Sequence, residues 1–215
     1  MKLVLGPDHL KTNFDFTISE TDIIGIFLSG GLDSTVLLCL IIEELRLTKR
    51  LDKTRIIAFT VKKPTDEPKY ASRMLDLICN HYQTIVEHDN FLENTEEHYK
   101  KGRMDPEQIN NALQKYKNII LYWGINNMPS KEIKTFNCEL KVKYEKVKYI
   151  DCINSPFLNM LKPQIIDLFY KLKVEHLIPY THSCSRIPIG NCNSCYSCEE
   201  RQWGFDELNI INPKF

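Results

Sequence analysis

The sequence predicts an α/β fold, a parallel sheet with helices on both faces, followed by a small cysteine-rich segment. Three observations lead there. Apolar, β-rich runs recur at residues 24–28, 55–61 and 118–123, each suited to a strand buried on both faces. Segments with helical spacing alternate with them, as the crossover connections of a parallel sheet require. The first run ends in Ser29-Gly30-Gly31 and passes directly into an apolar helical pattern.

That first transition is the most informative. Ile24, Ile26, Phe27 and Leu28 make the strand, and Val36, Leu37, Leu38, Leu40 and Ile41 carry the helix onto the same core. Gly30 and Gly31 lack a Cβ, so the backbone can turn tightly and a ligand can come close. Asp33 and Ser34 lie at the helix start, where free N–H groups favour an anion. The turn is therefore expected to hold a polyphosphate. It is not the Walker type, because no lysine follows Gly31.

The remaining elements follow in order. Residues 55–61 (RIIAFTV) read as a second strand and 68–82 as a helix, with Met74, Leu75, Ile78 and Cys79 near helical spacing. Residues 84–87 offer a short third strand. Residues 93–101 and 106–116 read as polar helices, the second opened by Pro106. Residues 118–123 (NIILYW) form another buried strand, ending in Gly124-Ile125-Asn126. Ligands of such sheets bind beyond the carboxyl ends of the strands, which is where the Ser29 turn lies.

A chain of 215 residues holds one sizeable core. We expect a main domain over residues 1–180 and a metal-binding segment over 181–215. Lys plus Arg and Asp plus Glu are balanced at 28 each, which disfavours a broad nucleic-acid-binding surface. Residues 1–22 contain no apolar core of the secretory kind, and no later run is long enough to span a bilayer. A cytoplasmic protein without membrane contact is the expectation.

The second strong feature is Cys184 followed by Cys192, Cys195 and Cys198. Two successive C-x2-C steps let thiolates converge on one ion, and the upstream cysteine completes a four-sulfur shell. Structural Zn2+ is the preferred reading. Two disulfides compete with it, as does an iron–sulfur cluster, whose ferredoxin-type pattern would put the fourth cysteine downstream. Cys39 and Cys79 read as core residues. Cys138 and Cys152 are the candidates for a catalytic thiol, and His182 reads as a loop histidine in preference to a ligand.

Ser29-Gly30-Gly31-Leu32-Asp33-Ser34 resembles the SGGxDS signature of the pyrophosphate-loop ATPases, which split ATP between its α and β phosphates. Adding Thr181-His182-Ser183-Cys184, the C-x2-C-x2-C run, and Arg201 ahead of Gly204-Phe205 makes the chain similar to the 7-cyano-7-deazaguanine synthase family of queuosine precursor biosynthesis. Gly124-Ile125-Asn126 and the segment from Ser155-Pro156-Phe157-Leu158 to Lys162 resemble further family segments, whereas residues 59–64 and 127–129 depart from it. The resemblance implies an adenine-nucleotide α-hydrolase (HUP-like) fold and an ATP-dependent C–N ligase. Its substrates would be 7-carboxy-7-deazaguanine and ammonia, converted first to an amide and then to a nitrile. It implies ATP, Mg2+ and Zn2+ as cofactors and a homodimer as the assembly. Leu28, Ser29, Gly30, Gly31, Leu32, Asp33 and Ser34 would bind nucleotide, Asp33 would also meet magnesium, and Cys184, Cys192, Cys195 and Cys198 would hold the metal. Lys162 would offset charge on the adenylate or carboxylate, unless it is a solvated helix-start lysine.

Three further readings stay open: a variant that forms only the amide, a tRNA-modifying enzyme of the same ATPase class, and a non-catalytic metal-braced module. The lysine-rich span 131–148 bears on the second. Val142, Tyr144 and Val147 interleave with its lysines, so a solvated amphipathic strand is preferred to a patch contacting an anionic partner.

Overall fold

The structure is a computed structural model and describes residues 1–61, 67–91, 106–127, 153–187 and 189–213. Strands β1 (Lys2–Leu5) and β2 (Thr12–Asp15) form an antiparallel hairpin. The main sheet consists of β3 (Ile23–Phe27), β4 (Arg55–Val61), β5 (Glu87–Phe91), β6 (Ile120–Tyr122) and β7 (Ile153–Asn154). Its order is β5-β4-β3-β6-β7, and every pairing is parallel. The helices are α1 (Leu32–Leu47), α2 (Glu67–Tyr82), α3 (Pro106–Lys115), α4 (Lys162–Lys171) and α5 (Tyr196–Glu207), with a 3-10 turn at Glu175–Tyr180. None of the described helices is long and apolar enough to cross a membrane.

The period-2 geometry of strands divides the apolar runs between two cores. Ile24, Ile26, Ile56, Ala58 and Tyr122 pack with residues of α1, α2 and α4. Phe27, Ile57, Phe59 and Leu121 pack with Ile109 and Ala112 of α3 on the other face. Double-sided burial is why these strands read as continuous apolar runs. Helix α1 is buried nearly all round, with Val36, Leu37, Leu38, Leu40, Ile41 and Ile42 fully inaccessible. Cutting one of them to alanine would cost about 2–5 kcal/mol.

The hairpin was not foreseen. It lays Phe14 and Phe16 against Phe157 and Tyr122, closing the α1 side of the core. Its four-residue strands carry too little pattern to read. The third strand also differs, since it begins at Glu87 where 84–87 was expected. Gln83, at φ 49°, ends α2 in a left-handed turn, and the chain spends residues 84–86 returning to the sheet. As an edge strand, β5 needs no double-sided apolar run, so Glu87, His88 and Asp89 are tolerated there. The helix expected at 93–101 and the span 131–148 lie outside the described residues, as do Cys138 and Cys152.

The crevice between β3 and β6 is where the strand order reverses, and both strands deliver their carboxyl ends to it. The glycine turn after β3 and Gly124 after β6 meet there. A Cβ on Gly124 would lie 3.0 Å from the backbone of both Asp33 and Ser34, so glycine permits this close approach.

Candidate functional site

Leu28 extends the ladder of β3, its N–H donating to the Phe59 carbonyl at 2.8 Å. The chain then turns through Gly30 at φ 79°, a left-handed conformation that favours glycine. Ser29 and Ser34 close the turn, with hydroxyls 3.0 Å apart and the Ser29 N–H donating to Ser34 Oγ at 3.2 Å. Gly31 is the N-cap of α1 and supplies no side chain to the first-turn N–H groups. An anion is the natural partner of such an end. A Cβ on Gly31 would meet only the His182 carbonyl and Ser29 Oγ, both at 3.3 Å, leaving an open approach above the turn.

Lys162 opens α4 and is 4 % exposed, so it is not a solvated helix-start lysine. Its ammonium lies 2.5 Å from Asp33 Oδ1 and 3.3 Å from Glu200 Oε2. Asn126, just past β6, joins them, with Nδ2 donating to Glu200 Oε1 at 2.8 Å and Oδ1 lying 3.5 Å from the ammonium. Burial pulls the Lys162 pKa down, but Asp33 and Glu200 outweigh it and the ammonium stays protonated. Burial pushes Glu200 up against the pull of Lys162. Asp33 keeps 27 % of its side chain accessible at the mouth of the crevice. A hard, partly open carboxylate beside the glycine turn fits Mg2+, which keeps several waters and takes one or two carboxylates.

The four cysteines expected to converge do so. Their sulfurs all lie within 4.8 Å of one another, with Cys184–Cys195 and Cys192–Cys198 each at 4.0 Å. A single ion with ~2.3 Å bonds to sulfur needs sulfurs about 3.8 Å apart, and this set is nearly so arranged. A cluster interposes iron and sulfide between its thiolates and needs a wider spread. The Ser194 backbone N–H, helped by its side chain, holds the Cys192 thiol down to about 6, which favours the ligating thiolate. Cys39 is buried in the core and burial pushes its thiol up, which makes it inert.

Two connections run from the thiolate centre to the glycine turn. Two residues before Cys184, the His182 N–H donates to the Gly30 carbonyl at 2.9 Å and its ring stacks on Tyr70 at 4.3 Å. Two residues beyond Cys198, Glu200 reaches Lys162. Arg201, 1 % exposed, braces the segment between them. Its guanidinium donates to Thr181 Oγ1 at 2.7 Å, Ser183 Oγ at 3.3 Å, the Ile178 carbonyl at 3.3 Å and Asn212 Oδ1 at 3.0 Å. Burial lowers its pKa to about 10, which leaves it charged at neutral pH.

Sequence reading missed Glu200 and gave Asn126 no role. Glu199 and Glu200 look alike in sequence, but Glu199 is half-buried and Glu200 buried. The available signal was the phase of α5. Cys198, Arg201 and Phe205 mark its inward face, and Glu200 stacks one turn below Gly204.

Comparison with known proteins gives two family matches, neither covering half the chain. Residues 19–113 match asparagine synthase, and residues 129–209 match the queuosine biosynthesis protein QueC. No curated protein matches the chain. Among solved structures, the chain is similar to the U34-tRNA thiolase NcsA from Methanococcus maripaludis, solved with its 4Fe–4S cluster. That likeness has a TM-score of 0.50 at 17% identity and covers 89% of this chain. The chain spans 66% of the length of that thiolase. The asparagine synthase match thus contains the glycine turn, the QueC match contains the four cysteines, and the likeness to the thiolase is one of fold, a parallel sheet with helices.

Proposed function

We propose that the chain activates a carboxylate by adenylation and passes the acyl group to ammonia, with 7-carboxy-7-deazaguanine as the carboxylate. The observation that carries this reading is the meeting of an open, glycine-capped helix start with a buried ammonium at the carboxyl ends of β3 and β6. The QueC match contains Lys162 and all four cysteines and supports the deazapurine resemblance of the sequence. Asparagine, the product in the name of the other match, is a carboxamide, which supports amide formation.

The chemistry needs position and charge more than a nucleophile from the protein. A carboxylate oxygen attacks the α phosphorus, the α–β bridging bond breaks and pyrophosphate leaves. Ammonia then adds to the acyl carbon, AMP departs and a proton is lost, leaving the amide. A second ATP activates the amide oxygen in the same way, releasing a second pyrophosphate, and loss of AMP and of both protons of the amide nitrogen gives the nitrile. Residues 29–34 hold the departing pyrophosphate through N–H groups and hydroxyls. Lys162 offsets negative charge on the adenylate. Asp33 would hold Mg2+, which supplies further charge neutralisation at the phosphates. The four thiolates would hold one Zn2+, whose closed shell braces residues 184–198 and leaves no open position for water.

The test is mass spectrometry of products after incubation with ATP, Mg2+, ammonium and 7-carboxy-7-deazaguanine. A nitrile supports the full reaction, and a persisting amide supports the amide-forming variant. A second reading, tRNA modification, is favoured by the thiolase as structural neighbour. Unconsumed deazapurine together with tRNA-stimulated ATP turnover would select it and bring the lysines of residues 131–148 forward. Nucleotide binding without turnover on either substrate would select the non-catalytic module.

A further inference from the structure

We propose that Glu200 is a positioning residue that gives the Lys162 ammonium a second seat, so that Asp33 can be released to a divalent cation when nucleotide binds. The inference rests on the phosphate-turn reading above. Lys162 lies within reach of two carboxylates at once, Asp33 Oδ1 at 2.5 Å and Glu200 Oε2 at 3.3 Å. The two acids are not equivalent. Asp33 belongs to the turn and keeps 27 % of its side chain accessible, whereas Glu200 is only 6 % exposed.

A buried ammonium cannot be left unpaired without a large penalty. If Asp33 were its sole partner, drawing Asp33 toward a cation would strand Lys162. Glu200 removes that conflict, because the ammonium can shift toward it without leaving the pocket. Asn126 readies Glu200 for the exchange, donating to Oε1 and leaving Oε2 for the lysine. Gly204, one turn further along α5, supplies the track. A Cβ there would lie 2.8 Å from Lys162 Cγ, so the lysine stem runs directly over the glycine while its head meets Glu200. The position of Glu200 is itself fixed from the thiolate centre, since Cys195 is the N-cap of α5 and Cys198 lies in its first turn.

The experiment measures binding of a non-hydrolysable ATP analogue by the full chain, in EDTA and across a titration of free Mg2+. The proteins compared are wild type, Glu200→Leu and Glu200→Gln. Leucine keeps the volume and leaves Lys162 paired with Asp33. Glutamine keeps the shape and a carbonyl oxygen for the lysine, so one variant remains informative if the other folds poorly. The expected result is unchanged affinity in EDTA with the Mg2+ midpoint raised about tenfold in Glu200→Leu, a size typical of coupling within a charged network, and by less in Glu200→Gln. Metal content of the thiolate centre should be unchanged in both. An unchanged midpoint, or equal loss of affinity with and without Mg2+, would overturn the proposal and leave the phosphate-turn reading standing. Failure of the wild type to bind the analogue in either condition would overturn both.

Discussion

Replacing Gly30 by alanine, compared with the same change at Gly31, tests how the glycine turn is built and whether it receives the nucleotide. At Gly30, φ is 79° and an added Cβ would stand 2.7 Å from the Tyr70 carbonyl carbon and 2.9 Å from the Ala71 nitrogen, both backbone atoms of α2. The left-handed conformation costs alanine roughly 1–2 kcal/mol. Forcing α2 away adds an overpacking cost of about 1–3 kcal/mol. The sum is about 2–5 kcal/mol, and the His182 N–H bond to Gly30 would be strained in addition. Gly31 has φ −80° and ψ 170°, which any residue adopts, and its nearest neighbours would be at 3.3 Å. Alanine is a poor N-cap, so the cost there is only about 1 kcal/mol. Urea unfolding of both variants reads the difference, and analogue binding reads function. Gly30→Ala should lose stability and affinity together, whereas Gly31→Ala should keep most of its stability and lose affinity, because its methyl group occupies the approach to the turn. Equal stability of the two variants would refute this account of the turn.

Other predictions concern charge and metal. Lys162→Met strands Glu200 in the interior and should cost about 3–5 kcal/mol, much of it recovered in the double variant with Glu200→Leu, as a double-mutant cycle in urea would show. Cys195→Ser should lower the metal content measured by elemental analysis and destabilise residues 181–213, whose amide exchange should quicken. Burial lowers the pKa of His88 below its ordinary 6.5, while its Nε2 lies 2.7 Å from Thr60 Oγ1. Below about pH 6.5 the unfolded chain takes up a proton that the folded chain resists, so stability should fall as pH drops. Urea midpoints across about pH 5–7.5, an interval set by the ordinary histidine range, should fall less steeply with falling pH in His88→Gln than in the wild type, and an unchanged slope would contradict this.

What the sequence revealed depended on whether a pattern is local. The turn at 29–34 is one contiguous string flanked by a strand and a helix, and it folds as read. The cysteines were legible because thiolate spacing is chemistry on a short segment, and their sulfurs meet. The hairpin was not legible, since Phe14 and Phe16 gain meaning only against Phe157 and Tyr122, more than a hundred residues away. Lys162 could be suspected but not distinguished from a surface residue. Its burial comes from α4 and α5 packing closely at Gly204, and its partners come from three separate segments. Glu200 was hidden for the same reason, because only the helix phase set at Cys195 separates it from Glu199.

A glycine turn that holds a departing pyrophosphate requires ATP to be cut between its α and β phosphates. Phosphorus NMR of the products tests it most directly, using ATP and Mg2+ with 7-carboxy-7-deazaguanine plus ammonium in one sample and bulk tRNA in another. AMP and pyrophosphate should appear in equal amounts with one of the two acceptors, and both should be lost in Asp33→Ala. ADP and phosphate as the products, or turnover that survives Asp33→Ala, would contradict it.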